Sequence, residues 1–234
     1  MKPSQKVLLS MGGVLAVVIV VTAVAGRVAL SRDHFAVVEG SRVSESADLT
    51  GVTEVEIAGG LRVDLTRGDE WKLEVSDPGN RRAHVRMHVF GNRLRLSGGS
   101  RAWWREGGAP KSVSIVMPAL DELELRGGVR IALSGFRGDR LAIDIAGAAR
   151  LEGRDGRYDG LELSVAGASA VDLRGIPVTD AEVDLRGASD VVLTMSGGVL
   201  SGSVAGAGSL RYYGTVSKER VRVAGVTRIV HHRK

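Results

Sequence analysis

Apolar and polar residues alternate along most of this chain, and over its second half the alternation is reset by a glycine at a nearly fixed interval. The segment LAIDIAGAARLEG (Leu141 to Gly153) shows the frame, and LELSVAGASAVDL (Leu161 to Leu173) repeats it. Apolar residues stand four and two positions before the glycine, and another follows four positions after it. The glycines are Gly127, Gly147, Gly167, Gly187, Gly206 and Gly225, at intervals of 20, 20, 20, 19 and 19. Alternation with a period of two marks a strand with one buried face. A unit that recurs at this period marks a solenoid, each repeat forming one turn of the wall. The expected fold is all-β: a single-chain β-solenoid, or β-helix, of roughly 20-residue coils.

The frame assigns the core. Leu123 and Leu125, Ile143 and Ile145, Leu163 and Val165, Val183 and Leu185, and Val221 and Val223 line the interior before each corner. Ile131, Leu151, Val171, Val191, Leu210 and Ile229 do so after it. Gly202 takes one of these core positions beside Val204, which makes its coil the thinnest. Directly after the glycine stand Gly128, Ala148, Ala168, Ala188 and Ala207, a column small enough for the corners to stack at the strand spacing. Gly59 is an isolated seventh member, with Val55 and Ile57 before it and Val63 and Leu65 after it. Between Gly59 and Gly127 the period lapses. WKLEV (Trp71 to Val75), HVRMHV (His84 to Val89), NRLRLSG (Asn92 to Gly98) and SVSIVMP (Ser112 to Pro118) still read as strands. This stretch is expected to be a capping region that covers the open end of the stack.

Ahead of the strands, Val7 to Gly26 is a run of twenty residues without a charge. At 1.5 Å per residue such a helix covers the roughly 30 Å hydrocarbon core of a bilayer. Two readings compete. One is a retained single-pass signal anchor, with the short N-terminus cytoplasmic and the main domain periplasmic or extracellular. The other is a signal peptide cleaved near Ala25, where Ala23-Val24-Ala25 offers the small-x-small pattern. Lys2 and Lys6 precede the run and Arg27 and Arg32 follow it, so the positive-inside rule orients it only weakly. The expected organisation is a membrane segment at 1–32 with its helix at 7–26, a polar tether at 33–50, the solenoid domain at 51–230 (strand region 51–118, regular coils 119–230), and a basic tail at 231–234.

Composition narrows the chemistry. Aromatic residues make up 4% of the chain, so the core must come from Val, Leu, Ile and Ala. There is no cysteine, which removes disulfides, thiolate metal sites and cysteine nucleophiles. The net charge of +5 comes from the ends: residues 33–215 hold 22 basic and 26 acidic residues. A nucleic-acid binder concentrates positive charge on its reading face, so this distribution argues against nucleic acid as a partner.

The repeated corners IAGAARL, VAGASAV, LRGASDV and VAGAGSL, behind the step VSIVMPALDELELRGG, resemble the bacterial head GIN domain family, labelled putative auto-transporter adhesin. The resemblance covers about residues 51–230 and implies surface adhesion, with no catalytic residues attached. One departure stands out. The family's Ser-Gly-Ala-Gly corner has Ala or Arg in place of Ser here, at Ala146, Ala166, Arg186 and Ala205. A function that used that hydroxyl is lost.

Candidate chemistry is sparse. Glu122, Glu124, Asp144, Glu162, Glu182 and Asp184 form an outward acidic column, with Arg126, Arg130, Arg150 and Arg186 near enough to neutralise it. The dense Gly-Gly-x-Gly-x-Asp pattern of calcium-binding solenoids is missing, and a salt-bridged solvated face is the expectation. His84 and His88 share a strand face with Arg86 between them, which discourages a metal. No cofactor or metal is expected. Trp103 and Trp104, in the loop GGSRAWWREGGAPKS, are the candidate contacts for a protein or glycan partner, or else they cover the end of the stack. No nucleophile–base pair, phosphate loop or carboxylate pair in a cleft is identifiable. The leading expectation is a non-catalytic envelope interaction or adhesion module. The alternative is a membrane-anchored scaffold or sensory subunit that binds another envelope protein. A polysaccharide-active β-helix enzyme ranks third.

Overall fold

The computed structural model describes residues 34–38, 49–76, 85–98 and 111–232. The proposed membrane segment at 7–26 lies outside them. Among the described residues no helix is long and apolar enough to cross a membrane. The described residues form sixteen strands: β1 (His34–Val38), β2 (Glu54–Ala58), β3 (Leu61–Arg67), β4 (Lys72–Ser76), β5 (Val85–Phe90), β6 (Arg93–Ser97), β7 (Lys111–Met117), β8 (Glu122–Gly127), β9 (Arg130–Ser134), β10 (Arg137–Gly147), β11 (Arg150–Arg154), β12 (Arg157–Gly167), β13 (Ala170–Gly187), β14 (Asp190–Ser196), β15 (Val199–Thr215) and β16 (Lys218–His232).

The strands stack into two walls that meet along the glycine corners. On the first wall β6, β2, β8, β10, β12, the second half of β13, and the first halves of β15 and β16 are parallel and in register. On the second wall β7, β3, β9, β11, the first half of β13, β14, and the second halves of β15 and β16 do the same. Through β13 the core pairs fall where the alternation places them. In β16, the last described strand of the stack, the expectation fails: Val223 is 49% exposed and Val221 and Ile229 are only partly buried, with no further coil among the described residues to cover them. Ile143 sits between Leu123 and Leu163, and Leu151 between Ile131 and Val171, all buried. Side chains two apart point to the same side of a strand, so each pair adds to one continuous apolar column.

The coil order does not follow the chain. Leaving β3, the chain runs out through β4 and β5, which are antiparallel to β7 and β6 respectively. It returns as β6 and β7 and then passes over the β2–β3 coil to begin β8. The stretch without a period is therefore more than a cap. Val55 and Ile57 belong to a regular coil sandwiched between two others, and among the described residues β4 on one wall and β5, followed by β1, on the other lie at the end of the stack. Antiparallel strands suit this position because they end the parallel ladder at that edge. β1, next to β5 in the sheet, falls inside the stretch expected to be a tether.

A third, shorter side carries much of the bulk. Phe136, Tyr158, Ile176, Val178 and Met195 are buried there. The Tyr158 hydroxyl donates to the Leu120 carbonyl at 2.8 Å, and burial, with Asp121 nearby, pushes its phenol well above the usual value.

The corner glycines explain the period. Gly147 and Gly167 both adopt φ 134°, a conformation L-residues resist. A Cβ on Gly147 would stand 2.7 Å from the Gly127 carbonyl oxygen, and one on Gly167 would press on the Gly147 carbonyl. Each corner also hands a backbone hydrogen bond to the next: Ala148 N–H donates to Gly127 at 3.0 Å, and Ala168 N–H to Gly147 at 3.0 Å. The small residues after the glycines point out to solvent instead of packing inside. Buried beneath the corner are Val129, Ala149, Ser169 and Ser189, and the two serines donate to the Gly147 and Gly167 carbonyls. Gly202 also has positive φ, and a Cβ there would meet the Val183 backbone, so its place in the core column follows from local backbone geometry.

Gly167→Val combines a disfavoured φ with a clash against backbone, and should lower the unfolding free energy by about 3 kcal/mol or more. Thermal and denaturant melts of the parent and the variant test this. Equal stability would show that the corner does not need glycine.

Candidate functional site

The outward residues of the first wall form the acidic columns expected from the sequence. Glu54, Glu122, Ala142, Glu162 and Glu182 stand in one register line, and Glu56, Glu124, Asp144, Ser164 and Asp184 in the next. Like charges at the roughly 4.8 Å strand spacing repel. At one end the chain supplies the remedy from the returning strand β6. Arg93 reaches Glu54 at 2.8 Å, Glu122 at 2.7 Å and Glu124 at 3.4 Å. Arg95 lies 3.3 Å from Glu56, and Arg126 pairs with Glu124. The hydrogen bond from Arg93 is the largest influence on Glu54 and holds its carboxyl below the usual 4.5. Further along, Arg140 pairs with Glu162, and the Ser203 hydroxyl donates to Asp184. This wall is a compensated acidic surface. Among the described residues no group of His, Asp and Glu could hold a metal ion.

The basic surface lies around the corner. Arg62, Arg130 and Arg150 each follow a corner glycine by three positions, which puts them outward on the second wall. They are register partners, Arg62 with Arg130 and Arg130 with Arg150. Arg130 and Arg150 therefore do not neutralise the acidic column of the first wall, because the corner turns them away from it. Beside them runs an open groove of about 520 Å³ along the stack. Its floor is the exposed small column Gly128, Ala148, Ala168 and Ala188. Among the described residues three arginines line it, and no carboxylate residue does. Arg150 also reaches Glu152 at 3.2 Å, and Arg154, then Arg150, hold the Glu152 carboxyl below its usual value. Arg62 and Arg130 form no ion pair among the described residues. The shared offset of three from Gly59, Gly127 and Gly147 was the sequence signal for this ladder.

The other candidate residues are dispersed. Trp103 and Trp104 lie outside the described residues, as does His84. His88 stacks on Phe90 with ring centres 5.8 Å apart. His231 and His232 are the last residues of β16 and stack on Tyr212 and Tyr213 at 4.4 and 4.7 Å.

The geometry defines a class first: a β-solenoid whose walls display register columns of side chains, with an open groove at the corner. The chain belongs to the family described as putative auto-transporter adhesin, head GIN domain, whose model matches residues 51–216. The coil formed by β16 lies beyond that match. A putative adhesin from Bacteroides fragilis NCTC 9343 shares the fold, at 14% identity and TM-score 0.58, over 82% of this chain and 97% of that one. A putative adhesin from Parabacteroides distasonis ATCC 8503 is similar at 12% identity and TM-score 0.50, over 86% and 98%. No curated protein sequence matches the chain.

The Arg93 cluster makes a pH prediction. A depressed Glu54 value means that its ionised form stabilises the fold fully above about pH 4.5, and that this contribution is lost as pH falls through the lowered folded-state value. Arg93→Gln should cost on the order of 1 kcal/mol at pH 7, because solvent screens the cluster. The gap between parent and variant should shrink below about pH 4.5. Melts from pH 7 to pH 3 check it, and a gap independent of pH would refute the assignment.

Proposed function

We propose that this protein is a non-catalytic adhesion module of the bacterial cell envelope, exported and held to the membrane through residues 7–26. The observation that carries the reading is the form of the candidate surface. It is an open groove that crosses successive coils, with repeated side chains along it. A surface of this kind suits an extended partner held by many similar contacts, none of them strong alone. An enclosed pocket with one convergent set of polar groups would suit a small substrate instead. Membership of the head GIN family supports the reading, and so does the putative-adhesin naming of the two structural neighbours. The charge-free run at 7–26 supports the attachment.

The test is capture. Full-length protein in detergent, fixed to beads through a C-terminal tag, should retain bacterial envelope fragments in a saturable way and release no soluble sugar from them. Failure to retain any envelope material would contradict adhesion. Progressive release of oligosaccharide would point to an enzyme.

A further inference from the structure

We infer that the corner groove binds a linear anionic polysaccharide, with Arg62, Arg130 and Arg150 as its anion contacts; this rests on the adhesion reading and names the partner class. Three guanidinium groups stand in successive coils, one strand spacing apart. They flank a groove of about 520 Å³ that no carboxylate residue lines among the described residues. A single small anion can engage at most neighbouring arginines. An extended polymer with an acidic group every sugar or two can engage all three, because the ~4.8 Å strand repeat is roughly the length of one sugar residue. Guanidinium forks suit carboxylates and sulfates bidentately.

The floor also selects. It is glycine and alanine, shallow and weakly apolar, and it accepts the C–H face of a sugar ring. Among the described residues it has no aromatic on which a nucleobase could stack, so there single-stranded nucleic acid lacks its usual platform. A peptide strand is poorly served too. The corner N–H groups are already donated from coil to coil, as from Ala168 to Gly147, from Ala170 to Ala149 and from Ala188 to Gly167. Strand addition needs free backbone groups. The basic stretch is bounded: two coils beyond Arg150 the same register line holds Asp190. Asp64 and Glu152 stand farther from the floor, two residues along their strands, and Arg150 must exchange Glu152 for the ligand.

The experiment uses full-length protein in detergent, on a biosensor, against polygalacturonate, dextran sulfate, neutral dextran and single-stranded DNA. The variants are Arg62→Gln/Arg130→Gln/Arg150→Gln and a control, Arg137→Gln/Arg157→Gln, which removes exposed arginines from the third side. All five arginines are exposed, so both variants should melt like the parent. The parent should bind one or both acidic polysaccharides, and the tighter of the two identifies carboxylate or sulfate as the preferred anion. The triple variant should lose about tenfold or more in affinity, with the control unchanged. Neutral dextran and DNA should bind weakly. Equal losses per charge removed in the two variants would reduce the effect to net charge and overturn the proposal, as would DNA binding as tightly as the polysaccharides. If the parent binds neither acidic polysaccharide while the parent and the triple variant both capture envelope material, the groove assignment fails and adhesion stands. If polymer is cleaved in a manner dependent on these arginines, the groove stands and the non-catalytic reading fails.

Discussion

The coil-to-coil hydrogen-bond ladder at the corners is the constraint on which the rest of the structure depends. A corner must turn the chain between two walls and still pass its N–H to the carbonyl one coil before. That geometry brings the carbonyl of Gly127 or Gly147 against the next corner so closely that no Cβ fits. Positive φ and lack of space point to the same residue, so glycine recurs at nearly the same interval. Once the corners are fixed, the strands beside them are held in register, and the shift between β13 and β14 falls away from the corner, between Leu173 and Val178. A slip of one residue would move each apolar column to the solvent face.

The same constraint organises the surface. In-register stacking turns one outward position into a column, so any residue repeated in the coil becomes a ladder at the strand spacing. Two like charges about 4 Å apart repel by about 1 kcal/mol in water-like surroundings, and more where solvent is excluded. The acidic columns of the first wall answer this with arginines from other strands, above all Arg93. Among the described residues the arginine ladder at the corner has an ion pair only at Arg150, with Glu152. A solenoid can thus hold a compensated wall beside a wall that still seeks counter-charge. The second kind is where recognition is economical to build.

Much of the fold was legible from period alone, because one glycine and three apolar positions per coil carry the whole frame. Gly59 announced its own coil through Val55, Ile57, Val63 and Leu65, all buried in the structure. Its place in the stack was not legible. Nothing in local alternation distinguishes β6, a parallel strand, from β5, an antiparallel one, since both show period two. The third side was missed for a related reason: Phe136 and Tyr158 each sit singly among Gly, Arg and Asp, without neighbours to set a period. Arg130 and Arg150 were seen, but they were assigned to the acidic wall because closeness in sequence hides the turn made at Gly127 and Gly147. The small column after the glycines was read as what lets the corners stack; that it is also the exposed floor of a groove was not legible.

The coil order at the start of the stack is the most demanding consequence of this account, and a cysteine-free chain makes it directly testable. Ala58 lies between Ser97 and Arg126 in one outward register line. Neighbouring parallel strands place partner Cα atoms about 4.8 Å apart, within the reach of a disulfide, and a separation of two strands lies beyond it. Pairs of cysteines at 58 and 97, at 58 and 126, and at 97 and 126 should be oxidised in parallel and followed by mass spectrometry. The account predicts efficient disulfide formation for the first two pairs and none for the third. Cross-linking of 97 to 126 with 58 left free would place β6 directly against β8 and contradict the intercalated coil.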